Sequence, residues 1–106
     1  MDRKALAKVK ITVIKKLYHQ DLIEKYVLPE KQDAYTPCYR FNVNDEFIVD
    51  SFEMPEKFCP WAWADIHRDI MLMLLNADVP ISVEPGLIIA TCTDGLRPVV
   101  FKLERI

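Results

Sequence analysis

Residues 58–76, FCPWAWADIHRDIMLMLLN, open on a cysteine and a proline and continue with apolar side chains at helical spacing, while the segments on both sides are β-rich. A helix is expected from about Pro60 to Asn76, because proline is favoured in a first turn and cannot continue a strand ladder. At ~100° per residue, Trp63, Ile66, Ile70, Met73, Leu74 and Ala77 fall on one stripe, with His67 at its edge. That stripe should lie on a sheet. Asp65, Arg68 and Asp69 mark the opposite side, but Trp61, Leu72 and Leu75 share it, more apolar surface than a lone helix on a sheet exposes. A second partner is therefore expected. One reading makes it another copy of the chain, giving a homo-oligomer; the other folds the loop ADVPISVEPG (77–86) back over these side chains.

The β-rich segments follow from alternation and turn chemistry. KVKITVIKK (8–16) puts Val9, Ile11 and Val13 on one side and Lys8, Lys10 and Thr12 on the other, a half-buried strand. HQDLIEKYV (19–27) brings Leu22, Ile23, Tyr26 and Val27 to helical spacing, a short helix stopped by Pro29, with His19 at its start. LPEKQDAYTP reads as a loop. CYRFNVNDEFIVD (38–50) reads as a hairpin of residues 38–42 and 46–50 around Asn-Val-Asn-Asp, since Asn and Asp tolerate left-handed backbone. LIIATC, TDGL and RPVVFKLERI form a second hairpin, because Asp-Gly suits a two-residue reversal. Turning at Asp94-Gly95 pairs Thr93 with Leu96, Cys92 with Arg97, Ala90 with Val99 and Ile88 with Phe101. The expected fold is a single α+β domain over residues 1–106: a largely antiparallel four- to five-stranded sheet, one main helix packed on a face, and a short helix after the first strand.

Composition bounds the rest. A chain of 106 residues with 28% charged residues and only two glycines is a compact globular protein, which at this size buries somewhat over ~60% of the surface its unfolded chain exposes. Net charge is −2, and although Arg3, Lys4, Lys8, Lys10, Lys15 and Lys16 crowd the start, the remainder is acidic, so nucleic acid is not the expected partner. The apolar run ITVI is too short for a signal-peptide core, and no ~20-residue apolar segment follows, so a cytoplasmic protein without a membrane span is expected. Three cysteines in a reducing compartment are expected as free thiols rather than a disulfide framework.

No complete catalytic or cofactor motif is present: there is no G-x-S-x-G, no phosphate-cradling glycine loop and no dinucleotide fingerprint. The chemistry that remains centres on sulfur. Cys59 falls at the N-cap of the main helix, where Ser, Thr, Asp or Asn normally accepts a first-turn amide. A neutral thiol does this poorly, whereas a thiolate suits a helix N-terminus, which makes Cys59 a candidate reactive or ligand-binding thiol. The competing reading is a small buried apolar residue beside Phe58. Arg97, on the face expected to carry Cys92, needs either an acidic partner, Asp94 or Asp65, or an anionic ligand. Cys38, Cys59 and Cys92 are also candidate metal ligands by type, although no C-x-x-C or H-x-x-x-H pair supports them. His67 reads as a satisfied histidine at the edge of the core.

FCPWAWADI (58–66) with CTDGLRPVVFK (92–102) resembles a family of short, prokaryotic, single-domain proteins of unassigned function, and the likeness extends to the KVKITVIKK strand and CYRFNVNDEFIV. Where this chain has Asn44 the family pattern tends to have glycine, as a left-handed turn residue would allow. The resemblance carries no catalytic role with it. It implies that Cys38, Cys59, Cys92, Asp94 and Arg97 belong to one pattern.

Two functions are expected from these residues. In one, Cys59, Cys92, Arg97 and Cys38, with Asp94, line a pocket flanked by Trp61 or Trp63, which binds a small anionic ligand or does thiol redox chemistry. In the other, the surface around Trp61, Leu72 and Leu75 holds subunits together and the cysteines are inert.

Overall fold

A computed structural model describes residues 6–106; Arg3 and Lys4 of the basic N-terminal cluster lie outside them. Strand β1 (Val9–Lys16) runs through the middle of the molecule with Val9, Ile11 and Val13 fully buried, as the alternation requires. It pairs antiparallel on one side with β2 (Glu46–Val49) and on the other with β4 (Val99–Arg105), whose outer neighbour is β3 (Leu87–Thr91). The result is a four-stranded antiparallel sheet in the order β2-β1-β4-β3. The register between β1 and β4 shifts between Val13 and Lys15, where Ile14 forms a bulge. Thr12 departs from its expected solvent side: it is only 8% exposed, and its Oγ1 has no partner among the described residues. Its register partners Glu46 and Lys102 belong to the strands on either side.

Helix α2 (Pro60–Leu74) lies across β3, β4 and β1 and buries Ala62, Ile66, Ile70, Met73 and Leu74. Together with the inward residues of the strands and Phe41 and Phe58, these form the core. Phe41 meets the rings of Phe47, Phe58 and Phe101 at centroid separations of 5.8, 5.1 and 5.2 Å, edge-on or tilted as aromatic quadrupoles prefer. The helix stops two residues before the expected Asn76. Asn76 adopts φ +65°, its N–H bonds to Met73 O and the Ala77 N–H to Leu72 O, which is a Schellman cap with asparagine in the left-handed position. Arg105 donates from Nη1 to the Met73 and Ala77 carbonyls and so satisfies acceptors at the end of the helix. Trp63 is not part of the buried stripe but half-buried at its edge, against Phe58 and His67.

Three expectations are corrected. The segment after α1 (Gln20–Tyr26) is not a plain loop: Pro29–Ala34 form a 3-10 helix, with Pro29 near its start as its fixed φ favours. Residues 38–42 are not a strand. The turn at Asn42–Asp45 forms as expected, with Asn44 at φ +78° and Asp45 Oδ2 accepting the Asn42 N–H at 2.8 Å. It delivers β2 to the edge of β1, however, while Phe41 goes into the aromatic core instead of an edge ladder. Burial of that ring outweighs pairing of a short arm. Lastly, the β3–β4 register is displaced by two residues: Ala90 pairs with Phe101 and Ile88 with Leu103. Asp94 Oδ1 accepts the N–H groups of Leu96 and Arg97, which builds a wider loop, and Gly86, not Gly95, is the glycine with positive φ. A slip of two preserves the faces, so the inward set is unchanged.

The loop expected to cover the exposed side of α2 does not do so. Ile81 and Val83 are 92% and 95% exposed, and Leu72 and Leu75 are exposed as well. No helix among the described residues is long and apolar enough to cross a membrane.

Candidate ligand-binding cleft

Three parts of the chain that are distant in sequence meet at one end of the sheet. The first is the strap of residues 35–41, which leads from the 3-10 helix to the core. The second is the start of α2. The third is the loop between β3 and β4. After β1 the backbone follows this loop, with Leu17 N–H bonded to Pro98 O and His19 N–H to Leu96 O, each at 2.8 Å. Between the three parts lies a cleft of about 230 Å³.

Each part contributes a sulfur. Cys38 comes from the strap, Cys59 from the N-cap of α2, and Cys92 from the end of β3; all three line the cleft as half-buried free thiols. Cys59 makes no side-chain cap. The first backbone bond of the helix runs from Trp63 N–H to Cys59 O at 2.9 Å, and Pro60 has no N–H. The Trp61 and Ala62 N–H groups thus have no partner among the described residues, and both residues line the cleft. Cys92 lies across from Val99, not Arg97: its N–H bonds to Val99 O at 3.0 Å, and the Val99 N–H donates to Cys92 Sγ at 3.3 Å. Pro98, which has no N–H, sits between Arg97 and this pair, so the ladder cannot extend as the shorter turn requires.

Arg97 still reaches the cleft, from the loop. Its Nε donates to Asp94 Oδ2 at 3.2 Å and its Nη1 to Thr36 O at 3.3 Å, and its guanidinium lies 5.0 Å from the centre of the Tyr35 ring. Of the two acidic partners expected for it, Asp94 is the one found. Partial burial pushes the Asp94 carboxyl upward, but the N–H groups of Leu96 and Arg97 and the guanidinium outweigh this and hold it below the ordinary carboxylate value. Asp65 instead binds Thr93, accepting its N–H at 2.7 Å and its hydroxyl at 3.0 Å. The Trp61 indole N–H donates to the same hydroxyl at 3.3 Å, which holds the ring at the mouth with 70% of its surface exposed.

Of the residues singled out in the sequence, Cys38, Cys59, Cys92, Asp94, Arg97 and Trp61 line the cleft, and Trp63 does not. Among the described residues no three His, Cys, Asp or Glu side chains come together as a metal cage. The sulfurs stand on three separate walls, and Cys92 Sγ already accepts an amide. Sequence reasoning missed Arg40. Its Nη2 donates to Phe58 O at 3.3 Å, which sets a second guanidinium beside the residue preceding Cys59. Arg40 follows Cys38 by two positions, a signal hidden by the assignment of 38–42 to a strand.

Comparison of the chain with protein-family models, with curated proteins and with solved structures gave no match.

Proposed function

We propose that this chain is a small thiol-bearing module that binds an anionic small molecule in the cleft between the strap, the start of α2 and the β3–β4 loop. The observation that carries this reading is that three cysteines and two arginines, at positions 38, 59, 92, 40 and 97, line one cavity. A chance arrangement of core cysteines would scatter them among hydrocarbon. In the cleft itself Asp94 is the one carboxylate and it is occupied by Leu96 and Arg97, whereas Arg40, which also borders Asp45 and Glu46 in a neighbouring recess, makes no ion pair among the described residues. The indole of Trp61 supplies apolar contact at the mouth.

Iodoacetamide, which is uncharged, tests the reading. Alkylation at neutral pH, mapped by mass spectrometry, is expected at Cys59 in the folded protein. Thiols that react only after unfolding in urea would make the cysteines inert packing residues and end the proposal.

A second reading is favoured by the exposure of Ile81 and Val83, which leaves Leu72 and Leu75 uncovered. In it, a second copy of the chain packs on this surface. Sedimentation of a Leu72→Asp variant is expected to shift toward the monomer, and an unchanged coefficient would exclude this surface as the contact.

A further inference from the structure

The cleft is more specific than an anion site with thiols nearby, because some of its donor groups adjoin Cys59. Arg40 is held on the Phe58 carbonyl, one residue before Cys59, and the open N–H groups of Trp61 and Ala62 follow it by two and three residues. Arg97 faces the same cavity from the loop, with its orientation set by Asp94, Thr36 O and the Tyr35 ring. These three contacts leave Nη2 of Arg97 without a protein partner among the described residues, as are Nε and Nη1 of Arg40. Planar guanidinium donors and helix-start amides share a preference for carboxylates and other oxyanions. An exposed indole beside them accepts a flat or apolar group.

Resting on the anion-binding function above, we propose that the cleft takes a low-molecular-weight disulfide that bears an oxyanion near its sulfur, with the oxyanion held between Arg40 and Arg97 and the disulfide presented to Cys59. The chemistry is thiol–disulfide exchange. The Cys59 thiol gives its proton to solvent and its sulfur attacks one sulfur of the disulfide. The ligand's S–S bond breaks, a Cys59–ligand disulfide forms, and the other half departs as a thiolate carrying the electron pair. The ligand is itself the oxidant, so no further redox partner is required for this step.

Two aryl disulfides of different charge test this. Dithiobis-nitrobenzoate carries a carboxylate on each ring; dithiodipyridine is uncharged at neutral pH. Rates at Cys59, resolved from the other cysteines by mass spectrometry, are measured for both reagents at low ionic strength. Arg40→Ala, a change at an exposed side chain, is expected to lower the ratio of the dianionic to the uncharged rate about five-fold, a modest loss on the scale of electrostatic steering. In the unaltered chain, benzoate is expected to protect Cys59 from the dianionic reagent. A ratio unchanged in Arg40→Ala overturns the oxyanion subsite, and the anion-binding reading then stands only on protection of Cys59 by benzoate; absence of that protection in the unaltered chain overturns both. Failure of Cys59 to react with either disulfide overturns both.

Discussion

The Asp65 carboxylate, one turn into α2, accepts both the backbone N–H and the hydroxyl of Thr93, at 2.7 and 3.0 Å. Because Thr93 begins the loop after β3 and Asp65 stands four residues beyond Trp61, this pair fastens two walls of the cleft to each other. The Trp61 indole joins the same hydroxyl, so the ring at the mouth is held through Thr93 rather than by packing. The cleft thus keeps its shape through a polar clasp at its rim.

Removing the clasp should loosen the rim without unfolding the core. Asp65→Ala is expected to cost about 1–2 kcal/mol, the range for hydrogen bonds to a charged group that is partly solvated. Urea unfolding followed by far-ultraviolet circular dichroism measures this, and the Trp61 fluorescence should move toward that of a fully solvated indole. A midpoint equal to that of the unaltered chain would show that the clasp contributes nothing.

Acid stability should depend on two carboxylates. Gly86 N–H and Arg105 hold Asp78 below its ordinary value, and Asp94 is held low by its loop amides and Arg97 against the opposing effect of burial. A depressed carboxylate contributes stability that is fully present above its unfolded pKa, near 3.8 for both, and is lost as pH falls through that value toward the folded one. Thermal unfolding from pH 6 to 2 is therefore expected to fall most steeply below about pH 4. Asp94→Asn should flatten part of that fall while leaving the neutral-pH curve shape unchanged, and an acid limb identical to the parent's would contradict the assignment.

Gly86 marks the other end of the molecule. Its φ is +72°, its N–H donates to Asp78 Oδ1 at 2.8 Å, and a β-carbon there would stand 3.2 Å from Arg105 Cβ. Gly86→Ala should cost about 1–2 kcal/mol from the left-handed backbone alone, with crowding against Arg105 added to it. Differential scanning calorimetry checks this: a melting temperature within one degree of the parent's would rule out strain at this turn.

Much of the fold could be read from local pattern. Val9, Ile11 and Val13 alternate because a strand has period two, and Ile66, Ile70, Met73 and Leu74 share a stripe because a helix has period 3.6; both sets are buried as their spacing requires. Proline at the start of α2 and asparagine at residues 44 and 76 likewise act through their own backbone preferences. For the site, the sequence marked Cys38, Cys59, Cys92, Asp94 and Arg97 by residue type, and these do line one cleft.

What no local pattern decides is which segments meet. Phe41 left its supposed strand because three other phenylalanines offered it burial, and that moved Arg40 to the Phe58 carbonyl and brought it into the cleft. The register of β3 on β4 followed from Asp94 binding two loop amides in place of a tight Asp-Gly reversal, which separated Arg97 from Cys92 by one side of a loop. Periodicity and capping depend on neighbours within a few residues and are therefore written in the sequence. The cleft depends on burial and hydrogen bonding between residues far apart in the chain, such as Asp65 with Thr93 and Thr36 with Arg97, and only packing of the whole chain selects those partners.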